Sequence, residues 1–172
     1  MELGNSIFNG IISGVIASLC FAIFLLLIKP RVKIAKQICI DRDRKNNVVH
    51  QIKIVNRSHA MITDLKYVLY YCVMHGDGIS TSVEIQPRKS RVIIIDRIRL
   101  ISKNADYAAR ITYDIDPQHY PLNDNCKLVF MFIAKHSLSN TSKCIKREYY
   151  SKDIIEGTYE SGKSVKIIRN HQ

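Results

Sequence analysis

The chain has 172 residues and a formal net charge of +11, from 26 Lys and Arg against 15 Asp and Glu. Hydrophobic residues make up 47% of the sequence, which excludes a fully disordered or low-complexity chain. All 26 basic residues follow Ile28, and Glu2 is the only charged residue before it. Composition therefore divides the chain into an apolar N-terminal segment and a basic remainder that is long enough for one domain.

The N-terminal segment has the length and composition of a transmembrane helix. Residues 8–28 carry no charge, and at about 1.5 Å per helical residue they cover the roughly 30 Å hydrocarbon core of a bilayer. A cleaved signal peptide is the alternative, but it requires basic residues before the apolar run, and here they follow it. Those basic residues are Lys29, Arg31, Lys33 and Lys36.

The same charges predict an orientation. Basic residues beside a membrane helix stay in the cytoplasm, and Pro30 ends the helix where it leaves the membrane. We therefore expect a single-pass protein of the inner (plasma) membrane with its N-terminus outside. The predicted parts are a short extracytoplasmic tail at 1–7, the span at 8–28, a basic juxtamembrane linker at 29–45 and a cytoplasmic β domain at 46–172.

Small side chains recur at every fourth residue along the apolar segment. Because a helix places residues i and i+4 on one face, this spacing lets two helix backbones approach closely. We expect the chain to form a homo-oligomer through this face, and an ordinary monomeric anchor is the alternative. The residues of the face are Gly10, Gly14, Ser18 and Ala22.

Beyond residue 28, apolar and polar residues alternate in short runs separated by turn-forming residues. Alternation with a period of two is typical of β-strands with one buried face. The sequence therefore predicts an all-β fold, in which a single transmembrane helix precedes a small antiparallel β-sandwich or barrel. Residues 33–41 fit either a helical extension of the span or a first strand. The predicted strands are 48–55, 62–74, 79–85, 91–100, 107–115, 127–134, 144–150 and 164–169.

No motif of a known catalytic or metal site occurs in the sequence. The cysteines form no Cys-x-x-Cys pair and no zinc spacing with His, and Cys72 and Cys126 lie within apolar runs typical of buried thiols. The six His are isolated in sequence, and the nearby Asp114 and Asp116 form a pair that is common by chance. We therefore expect a protein without enzymatic activity, catalytic residues, cofactor or metal.

Positive charge is concentrated in loops and at strand ends. Arg, Lys, Ser and His side chains there can donate hydrogen bonds to phosphate oxygens, and the excess of 26 basic over 14 acidic residues after residue 28 indicates an anionic partner. The alternatives are that these loops keep the domain soluble or hold it against an anionic membrane. The candidate ligand-binding residues are Arg57, His59, Arg88, Lys89, Arg91, Lys135, His136, Ser137 and Lys143.

Tyrosine is abundant, with nine residues and no Trp. Tyrosine rings can stack on nucleobases, although tyrosines that alternate along strands more commonly belong to the core or the sheet face. The rings available for stacking are those of Tyr67, Tyr70, Tyr71, Tyr113, Tyr149 and Tyr150.

A domain held close to a bilayer is poorly placed for long nucleic acid, so none is expected as a partner. A small diffusible nucleotide reaches such a domain easily. In an oligomer (a tetramer is possible) a symmetric cyclic oligonucleotide could bridge the subunits and favour one arrangement of the helices. The expected partners are therefore a cyclic oligonucleotide, the lipid bilayer and further copies of the chain.

The order of parts, an apolar helix at 8–28, then Lys29 to Lys33, then a basic β domain, resembles the type III CRISPR membrane effector that binds cyclic tetra-adenylate. It resembles more distantly the CBASS effector with a membrane segment and a small β-barrel, a family that has more than one span. The resemblance implies an antiviral defence effector that binds a cyclic oligoadenylate, rearranges as an oligomer and perturbs the membrane. It assigns no binding residue by motif.

A second function class fits the same sequence. A membrane-anchored β-sandwich adaptor or regulator would use sheet edges or loops to bind a protein partner, without any nucleotide. Thermal shift with cyclic oligoadenylates would discriminate the two, since a ligand that binds only the folded state raises the melting temperature.

Overall fold

A computed structural model describes residues 2–43, 46–76, 80–88, 92, 94–97 and 107–169. Within these residues an N-terminal helix precedes a β domain. The elements are α1 (Glu2–Leu27), β1 (Val32–Ile34), β2 (Ile38–Arg42), β3 (Val48–Asn56), β4 (Ile62–Met74), β5 (Ser80–Ile85), β6 (Ala108–Tyr113), β7 (Cys126–His136), β8 (Ser142–Tyr149), a 3-10 turn (Ser151–Asp153), β9 (Ile154–Glu156), β10 (Thr158–Tyr159) and β11 (Ile167–Ile168).

The described strands form two main sheets and one small one. In the first sheet β1 and β2 pair with opposite ends of β3, β6 also pairs with β3, and β9 pairs with β2. The β2–β9 pair is parallel, so the domain is not the purely antiparallel one that the sequence predicted. The second sheet has the order β5-β4-β7-β8 and is antiparallel throughout. The strands β10 and β11 form a separate antiparallel pair.

The two main sheets share one hydrophobic core. Ile52 and Ile54 of β3 belong to the same buried cluster as Leu69 of β4 and Phe130 and Phe132 of β7. Alternate residues of a strand face the same side, and this periodicity supplies each sheet with an apolar inner face. Burial of each large side chain contributes about 1.5–3 kcal/mol, which is the main force that holds the sheets together.

The outer face of the second sheet is polar. There Lys127 and Lys146 lie 3.1 and 2.9 Å from the two carboxylate oxygens of Glu148. Hydrogen bonds from Lys146 and Lys127 lower the pKa of Glu148 to about 2. The Lys127–Glu148 pair joins β7 to β8 on the side that faces away from the core, whereas Lys146 and Glu148 both belong to β8.

The prediction of a β-rich domain is confirmed strand by strand over most of its length. The strand predicted at 62–74 has the observed bounds of β4, and those at 48–55 and 127–134 match β3 and β7 within two residues. At 91–100 the described residues form only a single bridge, between Ile95 and Ile62. Residues 91, 93 and 98–100 of that run lie outside the described residues. The predicted strand at 164–169 shortens to β11.

The prediction of a membrane-spanning helix is wrong. A helix does form at Glu2–Leu27, but in the part of the chain that the structure describes, no helix is both long enough and apolar enough to cross a membrane. The sequence argument rested on the length of the uncharged run at 8–28 and on the basic residues that follow it. The single-pass topology, the inner-membrane location and a membrane-perturbing action all depended on this span and are not carried further.

The segment 29–45 also differs from the predicted linker. It contains β1 and β2, so residues 33–41 are mainly strand and not a helical extension. Distant residues fix this outcome, because the hydroxyl groups of Tyr149 and Tyr159 donate hydrogen bonds to the carbonyl oxygens of Ala35 (2.8 Å) and Gln37 (2.5 Å). These donors lie more than 100 positions along the chain, where no local pattern could indicate them.

Candidate functional site

Two of the predicted basic groups meet at one end of the domain, beside the end of α1. The turn after β3 contacts the chain that follows α1, since the Arg57 amide donates to the Arg31 carbonyl (2.6 Å). The same turn contacts the β7–β8 hairpin, where the Ser137 amide donates to the Met61 carbonyl (3.2 Å). Three segments, 28–31, 56–64 and 135–143, are thereby held side by side.

These three segments carry five Lys and Arg residues and one carboxylate. The carboxylate, on Asp64, lies 3.6 Å from the Lys135 ammonium nitrogen. The other four cations are exposed, as is the His59 imidazole. We call this surface the basic end, and it comprises Lys29, Arg31, Arg57, His59, Lys135 and Lys143.

Buried polar side chains hold the basic end in place. The Asn56 amide nitrogen donates to the carbonyl oxygens of Ala60 and Asp96, both at 2.9 Å, and its side-chain oxygen accepts from the Ser58 amide at 2.7 Å. The Ser58 hydroxyl in turn accepts from the Arg31 amide at 2.8 Å. The loop is thus fixed from the inside, while its charged side chains point to solvent.

The hairpin binds the chain directly after α1. The hydroxyl groups of Ser139 and Thr141 both donate to the Ile28 carbonyl, at 2.6 and 2.8 Å. A helix end leaves carbonyl groups without partners inside the helix, and these hydroxyls supply partners just beyond it. The end of α1 and the basic end are therefore mechanically connected.

His136, one of the predicted ligand-binding residues, is only 2% exposed and faces inward. Its Nδ1 atom lies 3.2 Å from the Ser139 hydroxyl, and burial lowers the pKa of the imidazole. Because the Ser139 proton is directed to the Ile28 carbonyl, the pair is not arranged as an activated nucleophile. Its geometry supports a structural role in the hairpin turn, whereas Ser137 and Lys143 are exposed beside it.

Arg88 lies far from the basic end. Its amide donates to the Thr112 carbonyl, near one end of β6, whereas the basic end adjoins Tyr107, before the other end of β6. Five residues of strand separate these points by about 17 Å. The Arg88 guanidinium lies 2.6 Å from Asp43 and 3.5 Å from Asp114. The predicted residues Lys89 and Arg91 lie outside the described residues.

The tyrosines divide between core and surface. Tyr71, Tyr113 and Tyr149 are buried, and burial raises the pKa of Tyr71 to about 12. These three rings belong to the core and are not available to stack on a base. Of the other predicted rings, Tyr150 is exposed, and Tyr67 and Tyr70 are half-buried.

A large cleft lies at the opposite end of β3. It has a volume of about 1070 Å³ and is formed by the end of β2, the start of β3, the chain after β6, the end of β9 and Arg169. Its charged lining residues are Asp41, Arg42, Arg88, Asp114, Asp116, Glu156 and Arg169. Unlike the basic end, the cleft therefore contains both signs of charge in nearly equal number.

His50 lines this cleft and is 5% exposed. Its Nδ1 atom is buried without a hydrogen-bond partner among the described residues. Burial lowers the pKa of His50, an effect that the nearby Asp114 partly opposes, so the ring is neutral at pH 7.

The described residues contain no group of His, Cys, Asp and Glu side chains that could hold a metal ion. The cysteines at positions 39, 72 and 126 are buried and unpaired, as the apolar runs around the last two predicted. Burial raises the pKa of Cys39 to about 11, which makes its thiol a poor nucleophile at neutral pH.

The predicted oligomerisation face lies on an uncovered helix. Side chains of residues 9–24 of α1 are exposed, and a Cβ atom added at Gly10 or Gly14 would meet nothing within 4 Å. Large apolar residues share this surface, with Ile11 and Val15 both 62% exposed. Ser18 and Ala22 continue the same face, and its role in association stays a prediction.

Sequence reasoning missed the residues that support the site. Asn56, Ser139 and Thr141 act through hydrogen bonds to backbone groups of other segments, and no motif marks such residues. The one available signal was the turn-rich composition around 56–60 and 137–142, which located the loops but not their partners.

Comparison with known proteins adds no assignment. The sequence matches no protein-family model, and no curated protein matches it. The resemblance to the cyclic-oligonucleotide effectors therefore stays a prediction based on the order of parts.

Proposed function

We propose that this protein is a non-enzymatic receptor whose β domain binds a phosphate-bearing ligand at the basic end. A cyclic oligoadenylate is the specific ligand that the resemblance suggests. The observation that carries the proposal is the concentration of five cations and one carboxylate on three adjoining segments. The proposal includes neither a catalytic step nor a membrane span.

The chemistry of the surface favours phosphate. Arg31 and Arg57 offer planar guanidinium groups that can bind phosphate oxygens in pairs, and their segments are joined by a backbone hydrogen bond of 2.6 Å. Lys143 and the Ser137 hydroxyl add donors from the hairpin. A fixed set of donors loses less entropy on binding than a flexible one, and the buried Asn56 and Ser58 bonds hold the loop.

Position gives binding a consequence for α1. A ligand that bridges Arg31 and Arg57 would contact both the chain leaving α1 and the body of the domain. The Ile28 carbonyl is held by the same hairpin that carries Lys143. Binding would then favour one orientation of α1 by the difference in affinity between its arrangements.

Thermal shift of the full chain, kept monodisperse with a mild detergent, tests the ligand. Cyclic tetra-adenylate, cyclic hexa-adenylate and linear oligoadenylate are compared at low salt. At a ligand concentration of 100 times Kd, a stabilisation of about 2.7 kcal/mol corresponds to a rise in Tm of about 5–10 °C. The rise should shrink at high salt, because exposed charges are screened. Unchanged Tm with every nucleotide would contradict the proposal.

The site is tested by matched charge removal. Arg57→Ala should weaken binding by roughly 10–150-fold, the effect of losing a charge-assisted hydrogen bond, with little change in the stability of the free protein. Lys152→Ala is the control, since Lys152 is exposed at the far end of β8 from Lys143. Equal effects of the two substitutions would show that the ligand responds to net charge and not to the basic end.

We further propose that copies of the chain associate through α1. Contiguous exposed apolar surface marks interaction sites, and the face that carries Gly10 and Gly14 is open to close approach. Gly14→Leu should shift the sedimentation profile towards the monomer. Cys20→Leu is the control. Because successive residues of a helix are rotated by about 100°, it introduces a leucine on roughly the opposite side of α1, and it should leave association unchanged. Equal profiles for both variants would contradict association through this face.

The adaptor function stays the second candidate, and the cleft favours it. A mixed-charge cleft of about 1070 Å³ suits a protein segment better than a nucleotide. If no nucleotide raises Tm, protein binding through this cleft becomes the leading function.

A further inference from the structure

The cleft begins where the core of the sandwiched sheets ends. His50 lies on the same face of β3 as the core residues Ile52 and Ile54, because alternate residues share a face, and it pairs across the sheet with Ile40 and Tyr113. Ile40 and His50 line the cleft, so its floor is a continuation of the inner sheet face that normally packs against a partner. From His50 to Asn56, at the basic end, the distance along the strand is about 20 Å.

The floor is apolar and the walls are charged. Val48, Ile115 and Pro117 join Ile40 in the lining. Such a combination, a partly apolar surface with a few convergent polar groups, is typical of ligand sites, and the volume of about 1070 Å³ is at the upper end of the roughly 300–1,000 Å³ common for small-molecule pockets.

Not all of the charges are neutralised within the protein. Arg88 is paired with Asp43 and Asp114. The side chains of Glu156 and Arg169, in contrast, make no hydrogen bond or ion pair with any described residue, and both are exposed at the cleft. Among the described residues of the cleft, Glu156 therefore offers a carboxylate, and Arg169 a guanidinium, that no side chain of opposite charge neutralises.

The buried imidazole supplies an independent indication of a ligand. A polar atom buried without a partner costs about 1–3 kcal/mol, and native structures rarely leave one without a reason. The Nδ1 atom of His50 is such an atom, on a side chain that is 5% exposed and lines the cleft. Because this atom has almost no accessible surface, a group bound in the cleft would remove the cost by a rotation of the ring that brings Nδ1 to it.

The balance of charge decides the class of ligand. Four carboxylates and three guanidinium groups line the cleft, so a polyphosphate would face excess negative charge and a polycation would face three arginines. We propose that the cleft binds a short peptide segment that carries both a basic and an acidic side chain, with its apolar residues on the floor. The inference does not depend on phosphate binding at the basic end.

Calorimetric titration of the full chain with three blocked tetrapeptides tests the inference. The probes are Lys-Leu-Glu-Leu, Lys-Leu-Lys-Leu and Glu-Leu-Glu-Leu, together with inorganic phosphate. The mixed-charge peptide should bind about tenfold more tightly than either like-charged peptide, since each like-charged peptide forms one favourable pair and meets one repulsion. The NMR signals of the His50 ring should shift on binding. Equal binding of the three peptides, or tighter binding of phosphate, would overturn the inference.

Two substitutions at exposed residues locate the binding. Glu156→Gln and Arg169→Gln should each weaken the mixed-charge peptide about 2–5-fold, the range of a single exposed ion pair, without affecting folding. The controls are Asp124→Asn, exposed and outside the cleft, and Arg57→Gln at the basic end. If the controls weaken the peptide as much as the cleft variants do, the cleft is not its site. Loss of nucleotide binding in Arg57→Gln with the peptide affinity unchanged would separate the two sites.

Discussion

Replacement of Asn56 should be among the most damaging single changes in the domain. The side chain is fully buried, and its amide donates to two carbonyl oxygens at 2.9 Å and accepts from one amide at 2.7 Å. Each net hydrogen bond contributes about 1 kcal/mol, and a buried group left without a partner costs about 1–3 kcal/mol. For Asn56→Ala, which removes all three bonds, we expect a loss of about 3–4 kcal/mol of unfolding free energy.

Asn56→Asp refines the same prediction. The carboxyl group can still accept from the Ser58 amide, but its second oxygen faces the carbonyl oxygens of Ala60 and Asp96, to which the amide nitrogen donates. A buried carboxylate there has neither a donor nor solvent. Asn56→Asp should therefore be at least as destabilising as Asn56→Ala, although the change in shape is much smaller.

Urea unfolding followed by circular dichroism, with linear extrapolation, measures both losses. Asn125→Ala is the control, because the Asn125 side chain is exposed and makes no hydrogen bond within the described residues; its effect should stay within about 0.5 kcal/mol. A loss below about 1 kcal/mol for Asn56→Ala, or an Asn56→Asp variant as stable as the natural protein, would refute the reasoning. Because Asn56 holds the Arg57 loop, nucleotide affinity should fall in parallel.

Three further predictions concern pH and backbone conformation. Burial lowers the pKa of His50 and His136 below 6.5, so the unfolded chain binds more protons than the folded one as the pH falls below about 6.5. Tm should therefore decrease from pH 7 to pH 5, and less steeply in His50→Asn; an equal slope in both proteins would contradict this. Lys146 and Lys127 hold the pKa of the Glu148 carboxylate at about 2. Glu148→Gln removes this carboxylate and should lower Tm at pH 7 by the equivalent of about 1 kcal/mol. The difference in Tm between the variant and the natural protein should shrink as the pH falls from 4.5 to 3. Gly157 has a φ angle of 150°, and a Cβ atom there would collide with the Ile168 carbonyl oxygen. Gly157→Ala should therefore reduce the unfolding free energy, measured in urea, by about 2 kcal/mol or more. Gly76→Ala is the control, because Gly76 has open space around it and the substitution should change stability little.

The two candidate sites divide the domain into ends of different chemistry. The basic end adjoins α1 and presents a surplus of cations, whereas the cleft combines both charges over an apolar floor. Both are organised by β3, whose start lines the cleft and whose last residue supports the basic end. The two proposed sites are about 20 Å apart along β3, so we expect no competition between their ligands.

The sequence predicted most strands because their signal is local. In β4, alternate residues from Leu65 to Val73 pack on or within the shared core, which agrees with the period of two that predicted the strand. The prediction failed for α1, which was expected to span a membrane although no described helix is both long enough and apolar enough to do so. It also failed for 29–45, because the basic residues there suggested a linker while Ile34, Ile38 and Cys39 are buried in sheet.

Part of the predicted site lies together at one end of the domain for a physical reason as well. Arg57, His59, Lys135, Ser137 and Lys143 were grouped by charge and by their place at strand ends, and the pairing of β4 with β7 brings them to one end. Arg88 satisfied the same criteria but belongs to a chain segment that pairs elsewhere.

Composition and periodicity alone determined that the chain is basic after residue 28, that it is rich in strands and that many of its cations lie in turns. Each of these features depends only on a residue and its near neighbours in sequence. Tertiary structure decided which strand ends meet, which histidines are buried, and that a mixed-charge cleft lies opposite the cationic surface. Those features depend on contacts between residues more than 100 positions apart in the sequence. A local sequence pattern cannot indicate such contacts, because it reports only on near neighbours.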